Sequence, residues 1–589
     1  MHLSLFDWLI IIAYLFISLA VGLYFRKKAS RSITDFFLGG RSFPWYLAGI
    51  SMVATTFAAD TPLAVTELVA KNGISGNWLW WNMLIGGMLT VFFFSRLWRR
   101  AEILTEPEFI ELRYGGRPAA LLRGFKAVHL GFFMNCLIIG WVNLAMVTVI
   151  EVFFELPHFT AILLVAGIMA LTAFYSALSG LWGVAVTDAI QFIIAMTGCI
   201  VLAVIVVNSD AVGGIEGLKE KLPERTFSFF PSFSTGDGIS DLGNSLTLGI
   251  GSFLAYMCIW WSSWYPGNEP GGGGYVAQRI MSTKNEKHAL LSTLLFQVAN
   301  YCLRPWPWIL VGLCTLVLYP GLPDEEKRLG YVYAMRDFLP AGLKGLMLVA
   351  FLAAYMSTLS TQLNWGTSYL VNDLYKRFIV PPGTIRIPVE EMKHYVTAGK
   401  MITIGLMVVS LFVTLLIETI SGVWQFIIEC GAGLGLVLIL RWYWWRINAW
   451  SEIGATIFPF FYYAFSKFIL GLEFPVSFFF TVGLTTVSWL ILTYATAPEA
   501  PAVLKNFYQR VKPGGFWKKI PKALLNESPP DPFTFRDLFI CWISATAMTY
   551  SILFMTGDII LKNLYSSIVW GLVAAVSFTI LYRKTARLL

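Results

Sequence analysis

The sequence Ser51-Met-Val-Ala-Thr-Thr-Phe-Ala-Ala-Asp-Thr-Pro62 places hydroxyl groups, a carboxylate and a proline in the middle of an apolar run, 44–70. Pro62 has no amide hydrogen and its ring clashes with the preceding helical turn, so carbonyl groups at 54–58 lose their partners. Freed carbonyls at membrane depth are tolerated only where they line a cavity or bind an ion. The stretch therefore predicts a broken membrane helix beside a binding site. The alternative is a simple proline kink.

The composition of the whole chain places this stretch in a membrane protein. Of the 589 residues, 57% are hydrophobic and 13% are charged, against roughly 45–50% and 25% in soluble domains. This balance excludes a soluble enzyme, a disordered chain and a disulfide-rich secreted domain. A spanning helix needs about 20 apolar residues. Fifteen runs come close to that length: 4–25, 44–70, 77–95, 125–153, 159–179, 182–207, 243–265, 288–318, 344–374, 396–418, 421–442, 451–471, 475–496, 536–556 and 560–582. We expect an all-α integral membrane protein with about 15 transmembrane helices.

The positive charges orient these spans. Arg26, Lys27 and Lys28 directly follow the first run, which places the C-terminal end of that run in the cytoplasm. With the sides alternating from there, most of the 43 lysine and arginine residues fall on the cytoplasmic side. The prediction is a multi-pass protein of the plasma or inner membrane, with its N-terminus outside and its C-terminus in the cytoplasm.

A second interruption lies in the run that begins at 243. Trp260-Trp-Ser-Ser-Trp-Tyr265 leads into Pro266-Gly-Asn-Glu-Pro-Gly-Gly-Gly-Gly274, and Tyr275-Val-Ala-Gln-Arg279 follows. The stretch is either a cytoplasmic loop or an unwound helix centre followed by a short second half-helix. Interruptions in the first and sixth helices of a ten-helix set beginning at 44 are typical of a transporter binding site.

A third signal is rich in hydroxyl groups. Within 353–364, the side chains of Ser357, Thr358, Ser360 and Thr361 follow one another at spacings that cluster them on one side of a helix. Neutral hydroxyl and carbonyl oxygens suit a hard monovalent cation, which cannot compensate the desolvation of several full charges. The alternative is close helix packing, with each hydroxyl bonded to its own helix.

Four stretches together resemble the sodium:solute symporter family, whose fold is shared with the leucine transporter. They occur in the family's order over about 35–445: 35–42 (DFFLGGRS), 179–191 (SGLWGVAVTDAIQ), 275–284 (YVAQRIMSTK) and 353–375, which contains the hydroxyl-rich segment. The resemblance implies an inverted repeat of five plus five helices in which the first and sixth core helices are broken. The repeats would be 44–207 and 243–445, separated by an external loop, 208–242. An accessory helix, 1–43, would precede them, and accessory helices in 446–589, with a cytoplasmic loop at 497–535, would follow.

The resemblance also implies cation ligands. The family's common sodium site maps onto the backbone oxygens of Ala54, Phe57 and Ala354 and the side chains of Ser357 and Thr358. A second sodium site, present in some members, maps onto Asp188, Ser360 and Thr361. An aspartate within the membrane is costly unless it serves an ion or a partner, so the residues themselves agree with the choice of Asp188.

The solute pocket is predicted from polar and aromatic residues near the two interruptions. The candidates are Asp60, Thr61, Asn82, Trp261, Trp264, Glu269, Arg304, Gln425 and Glu429. Arg304 lies near mid-membrane and needs either an acid or an anionic solute to balance its charge. Among the acids Glu269, Asp60 and Glu429, we favour an ion pair with Glu269 over a role in solute binding. A sugar, a carboxylate and an amino-acid-like compound all remain open as the solute.

These inferences converge on a transporter that is not an enzyme. The sequence predicts a sodium-coupled symporter that imports a small polar organic solute by alternating access, with Na+ as the coupling ion and no cofactor. The alternatives are a proton-coupled transporter of the same fold and a solute sensor built on it. A membrane enzyme would need a nucleophile–base pair or a metal cluster, and the five scattered histidines supply neither.

Overall fold

The computed structural model describes residues 3–29, 32–231, 250–384, 388–417, 420–517 and 533–586. Within these ranges the regular elements are helices, and β-pairing is limited to two isolated bridges. The α-helices, in chain order, are α1 (Leu5–Ala29), α2 (Ile33–Leu38), α3 (Trp45–Thr55), α4 (Asp60–Asn72), α5 (Trp78–Trp81), α6 (Met83–Leu89), α7 (Ser95–Ala101), α8 (Glu106–Arg113), α9 (Gly116–Val128), α10 (Asn135–Phe154), α11 (His158–Val207), α12 (Gly214–Lys221), α13 (Ile250–Ser262), α14 (Gly274–Ser282), α15 (Glu286–Val298), α16 (Pro305–Leu318), α17 (Gly330–Phe338), α18 (Leu343–Tyr369), α19 (Pro388–Thr414), α20 (Ile420–Cys430), α21 (Gly435–Tyr443), α22 (Ala449–Ala464), α23 (Val476–Ala495), α24 (Pro501–Val511), α25 (Phe535–Ile560) and α26 (Leu564–Thr585). The all-helical prediction is confirmed for this part of the chain.

Many of these helices are suited to a bilayer. In the described ranges, ten helices are long and apolar enough to cross a membrane, and twelve if each of two bent pairs counts as one span. The longest, α11, has 50 residues and changes direction at Gly180, where φ is +56°. The multi-pass prediction is therefore confirmed, while the count of fifteen spans stays a prediction.

The first break separates α3 from α4. The two helices meet at an angle of 60°, and residues 56–59 between them are not helical. Pro62 lies in the first turn of α4, where a missing amide hydrogen leaves no helical bond unmade. The predicted break is confirmed, and an angle of 60° is larger than a simple kink.

The second break lies between α13 and α14. Residues 263–273 are buried or half-buried, so the Pro-Gly stretch packs inside the protein rather than forming a loop in solvent. A third break, between α20 and α21, bends the chain by 42° where the sequence predicts one continuous span, 421–442. That prediction is wrong for 431–434.

The second and third breaks satisfy each other's backbone groups. The amide of Gly433 donates to the carbonyl of Ser262 at 2.7 Å, and the amide of Trp264 donates to the carbonyl of Gly431 at 3.3 Å. The Ser263 hydroxyl adds a bond of 2.6 Å to the Ile428 carbonyl. Unwound backbone is therefore paired with unwound backbone, as an apolar surrounding requires.

The core surrounds α18, which is buried along nearly its whole length from Gly345 to Tyr369. It packs against α11, α1, α10 and α19. The C-terminal helices α25 and α26 pack against each other, and α26 exposes many large apolar side chains. A membrane-facing role explains that exposure better than contact with water does.

Candidate functional site

A cluster of oxygen atoms joins the end of α3 to α18. The Ser357 hydroxyl donates to the Ala54 carbonyl at 3.0 Å, and the Thr358 hydroxyl donates to the Thr55 carbonyl at 2.9 Å. Both hydroxyls also contact the Ala354 carbonyl, at 3.2 and 3.1 Å. Because α3 ends at Thr55, the carbonyls of Ala54 and Thr55 lack the amide four residues on that a continuing helix would supply. We call these five residues the oxygen cluster.

Four of the five residues predicted for the common sodium site lie in this cluster. The fifth, Phe57, contributes its amide, which donates to the Ala54 carbonyl at 3.0 Å, and its ring packs edge-on against Trp308. The Thr358 hydroxyl donates to the Thr55 carbonyl rather than to that of Phe57. Which carbonyls face α18 depends on where α3 ends, and the sodium ligands themselves stay a prediction.

The three residues predicted for a second sodium site do not converge on an open position. The Ser51 hydroxyl donates to Asp188 Oδ2 at 2.6 Å, and Arg279 Nη2 lies 3.8 Å from the same oxygen. Arg279 Nη2 also donates to the Thr361 hydroxyl at 2.6 Å. The Ser360 hydroxyl instead bonds within its own helix, at 3.1 Å. A fully buried guanidinium therefore lies between Asp188 and Thr361.

Sequence reasoning missed Arg279. It stands in the stretch 275–284 that carries the family resemblance, and its partner Asp188 lies 91 positions earlier in the chain. An intramembrane arginine calls for an acid, and Asp188 is such an acid. Pairing these two signals would have identified the contact.

A cavity of about 120 Å³ lies next to the oxygen cluster, with Thr55 and Thr358 in its wall. Of the predicted solute residues, Asp60, Thr61 and Arg304 line it. Most of the other large side chains in its wall are aromatic: Trp80, Trp141, Tyr265, Tyr275, Tyr301 and Trp424. A second, smaller cavity shares Asp60 and Trp424 and reaches Glu67 and Arg328. The space therefore continues along α4 towards the loop at 319–343.

Arg304 is buried in the cavity wall and bonds only to neutral groups. Nη1 donates to the Thr56 hydroxyl at 2.6 Å and to the Val53 carbonyl at 3.4 Å, and it also contacts the Asn300 amide oxygen. Nη2 donates to the Thr56 carbonyl at 2.8 Å. In the described ranges, no carboxylate lies within 4 Å of its nitrogen atoms. The ion pair with Glu269 that the sequence favours is therefore absent from this conformation.

A model of the sodium:solute symporter family matches residues 36–457. The chain belongs to the sodium:solute symporter family. Its relatives include mouse (Mus musculus) solute carrier family 5 member 4B, 25% identical over 486 residues that cover 75% of this chain and 69% of the relative. They also include mouse sodium/myo-inositol cotransporter 2, 25% identical over 498 residues that cover 79% of this chain and 68% of that protein.

A solved structure of a Na+-coupled sialic acid symporter in a substrate-bound, outward-open state shares the fold. Its TM-score against this chain is 0.67 at 19% sequence identity, with 84% of this chain and 99% of the other covered. Members of the family are membrane-embedded, sodium-coupled transporters of small solutes. This supports Na+ as the coupling ion of the present symporter.

Glu269 of this symporter lies away from the cavity, inside the second break. It is 3% exposed, and within the described chain no positively charged side chain lies within 4 Å of it. The acid Glu106 lies nearby. Both acids border Gly273, because a Cβ atom built on that glycine would lie 3.0 Å from Glu106 Oε2 and 3.2 Å from Glu269 Cγ. Glu106 is well bonded, to the Gly274 amide at 2.7 Å and to Tyr369 and Arg441.

The other candidate solute residues also lie outside the cavity wall. The Asn82 amide donates to carbonyls one turn earlier in the chain, at Trp78 and Leu79. The Glu429 carboxylate accepts from Gln425 and from Ser477 of α23, both at 2.7 Å. Trp261 and Trp264 pack against the third break. Where the sequence indicates Gln425, the neighbouring Trp424 and Ile428 face the cavity instead.

Proposed function

We propose that this protein is a sodium-driven symporter that imports a small polar organic solute by alternating access. The oxygen cluster carries the proposal, because five neutral oxygens meet beside a cavity at a helix break. Neutral oxygens suit a hard monovalent ion. Family membership supports sodium in particular as that ion.

Sodium would act by replacing hydrogen bonds in the oxygen cluster. The hydroxyl hydrogens of Ser357 and Thr358 now point at carbonyls, and rotation about one C–O bond turns each hydroxyl oxygen into a ligand. The ion would then hold Ala54 and Thr55 of α3 against α18 more strongly than two hydrogen bonds do. Release to the cytoplasm would weaken that joint and favour the inward-open state. The membrane potential adds roughly 2.3 kcal/mol per charge per 100 mV.

We propose one sodium ion per cycle rather than two. The Arg279 guanidinium already places a positive charge 3.8 Å from Asp188 and holds the Thr361 hydroxyl. A sodium ion bound there would face a fixed like charge at close range, which is unfavourable in a low-dielectric surrounding. Arg279 thus takes the place that the resemblance assigns to a second sodium.

The proposed architecture keeps the predicted fifteen spans and the repeats 44–207 and 243–445. The first break lies in the opening helix of the first repeat and the second break in the opening helix of the second, as an inverted repeat requires. With the N-terminus outside and the C-terminus in the cytoplasm, the space along α4 opens outward, and the Pro-Gly stretch closes the cytoplasmic side.

Thermal unfolding in detergent tests the sodium site without knowledge of the solute. We expect Na+ to raise the Tm in a saturable manner relative to choline at equal ionic strength. The double variant Ser357→Ala/Thr358→Ala should lose that response, and Ser368→Ala, whose hydroxyl bonds within its own helix, should keep it. A wild-type Tm that does not distinguish Na+ from choline would reject sodium coupling, and a Tm that follows pH instead would favour proton coupling.

A further inference from the structure

The buried charge of Arg304 is not paired directly with an acid in the described part of the chain. Its side chain is 2% exposed, and the groups that its Nη atoms reach are two carbonyls, a hydroxyl and an amide oxygen. Neutral acceptors satisfy the donors of a guanidinium but do not balance its charge. An arginine at membrane depth ordinarily faces an acid, and the described residues place none within 4 Å.

One donor of Arg304 is also free. Nε has no hydrogen-bond partner among the described residues, and Arg304 forms part of the cavity wall. The rings of Phe57 and Trp308 lie 5.6 and 5.2 Å from its guanidinium carbon and hold the group in a defined orientation. A guanidinium held in a defined orientation in a cavity wall suits a planar anion, because arginine binds carboxylates through its planar set of donors.

The size of the cavity and the second charged residue in its wall restrict the solutes that can bind. Its volume of about 120 Å³ lies well below the roughly 300–1,000 Å³ of pockets for drug-sized ligands. Asp60 supplies a second charged group in the same wall and accepts hydrogen bonds when ionised. Trp80 and Tyr301, stacked at 5.5 Å, add flat apolar surface.

On the basis of the proposed function, we infer that the transported solute is a compact carboxylate whose anionic group binds Arg304. Its other end carries a hydrogen-bond donor, either an ammonium or a hydroxyl group, that faces Asp60. The carboxylate would give Arg304 the direct ion pair that the described residues do not supply, and the donor at the other end would do the same for Asp60. A neutral polyol would leave that charge as it is.

The position of Arg304 also links this carboxylate to the sodium site. Arg304 holds the carbonyls of Val53 and Thr56, while the two carbonyls between them, of Ala54 and Thr55, belong to the oxygen cluster. An anion that fixes Arg304 therefore fixes both ends of the segment whose middle binds the ion. The effect is reciprocal, so sodium tightens carboxylate binding by the factor by which the carboxylate tightens sodium binding.

Matched acids and amides test the inference on the purified wild-type protein. The probes are L-alanine, L-proline and L-lactate, their amides, and the neutral polyols glucose and myo-inositol, each added to detergent-solubilised protein with Na+ or with choline. We expect at least one acid to raise the Tm in Na+, with an apparent affinity about tenfold or more above that of its amide. A stronger response to alanine or proline than to lactate identifies an ammonium as the donor facing Asp60, and the reverse identifies a hydroxyl.

Two variants separate charge from geometry. Arg304→Lys keeps the charge but loses the planar fork, and Arg304→Gln loses both, so acid binding should fall in that order while the binding of the amide changes little. If Arg304→Gln does not fold, the acid–amide comparison in the wild type still decides the matter. Equal affinity for acid and amide, a response confined to the polyols, or no response to any acid overturns the inference. A Tm that rises with Na+ alone leaves the proposed sodium function standing in each of these cases.

Discussion

The first and second breaks of this symporter both leave polar backbone groups without helical partners, and these groups bond to different partners at the two breaks. At the first break, carbonyls at 53–56 accept hydrogen bonds from side chains: Ser357, Thr358 and Arg304. At the second break, two hydrogen bonds run from backbone to backbone of the third break, in the pairs Gly433–Ser262 and Trp264–Gly431. Both arrangements meet the requirement that polar backbone in a membrane be satisfied.

The choice of partner decides what each break can do. A hydroxyl can turn from donor to ligand by rotating one bond, and a guanidinium can share its remaining donors with a solute. A backbone amide cannot turn without moving the chain on both sides of it. The first break is therefore suited to exchanging ligands, whereas the second and third breaks are suited to holding a shape.

The largest expected effect concerns a buried ion pair beside α3, before the first break. The Ser51 hydroxyl contacts both Asp188 and Arg279 there. Asp188→Asn removes the acid that faces the buried Arg279, and we expect it to lower the free energy of unfolding by about 3–5 kcal/mol. The double variant Asp188→Asn/Arg279→Gln should recover most of that loss in thermal unfolding. Asp324→Asn, which alters an exposed pair with Lys327, is the control and should change little. A single variant as stable as the wild type would show that Arg279 is balanced elsewhere.

The backbone-paired break is tested by adding one methyl group. A Cβ atom on Gly431 would lie 2.8 Å from both the amide nitrogen and the carbonyl oxygen of Trp264, and neither can move aside alone. We expect Gly431→Ala to destabilise the protein by about 1–3 kcal/mol. Gly405→Ala is the matched control, because a Cβ there meets nothing within 4 Å. If both variants melted at the same temperature, the close packing of the second and third breaks would not matter for stability.

At the first break, where carbonyls bond to side chains, we expect substitutions to change sodium binding more than stability. We expect Ser357→Ala and Thr358→Ala each to raise the sodium concentration for half-maximal stabilisation about tenfold, which corresponds to about 1.4 kcal/mol for one lost ligand. Sodium titrations of the Tm measure this, with Ser368→Ala as the reference. Unchanged sodium dependence in both variants would place the ion elsewhere.

The smallest effect is expected at Glu269, inside the second break. Because this buried carboxyl group has no cation beside it, Glu269→Gln should raise the free energy of unfolding slightly, by about 1 kcal/mol or less. Glu106→Gln is the contrast: Glu106 accepts from the Gly274 amide and lies 3.4 Å from Arg441, so its loss should destabilise the protein. Thermal unfolding of both variants tests this difference. A Glu269→Gln variant less stable than the wild type would show that the carboxylate has a stabilising partner.

The sequence allowed the first break to be predicted but not the third. Pro62 and its neighbouring hydroxyl residues stand out in an apolar run, whereas Gly431 and Gly433 do not, because glycine is common in membrane helices. The break at 431–434 exists because Ser262 and Trp264 offer backbone partners, and such a contact has no local signature. The oxygen cluster could be predicted to within one residue, since it depends on two nearly continuous segments.

The sequence predicts the polar lining of the cavity less well. Arg304 was correctly recognised as needing an explanation, but its actual partners are mostly main-chain and neutral groups that carry no pattern in the sequence. Glu429 and Gln425 looked like pocket residues, and their pairing with each other and with Ser477 depends on how α23 packs. The sequence predicts that a polar group in a membrane needs a hydrogen-bond partner. Only the packing of the helices shows which group that partner is.

The backbone bonds between the second and third breaks have a mechanical consequence. They join the end of α13 to the turn between α20 and α21, so we expect these three half-helices to move together. Any rocking motion must then pivot at joints outside them. Gly180, where α11 turns through a φ of +56°, is such a joint, and it lies only eight residues before Asp188. The expected pivot thus lies within the longest helix of the described chain.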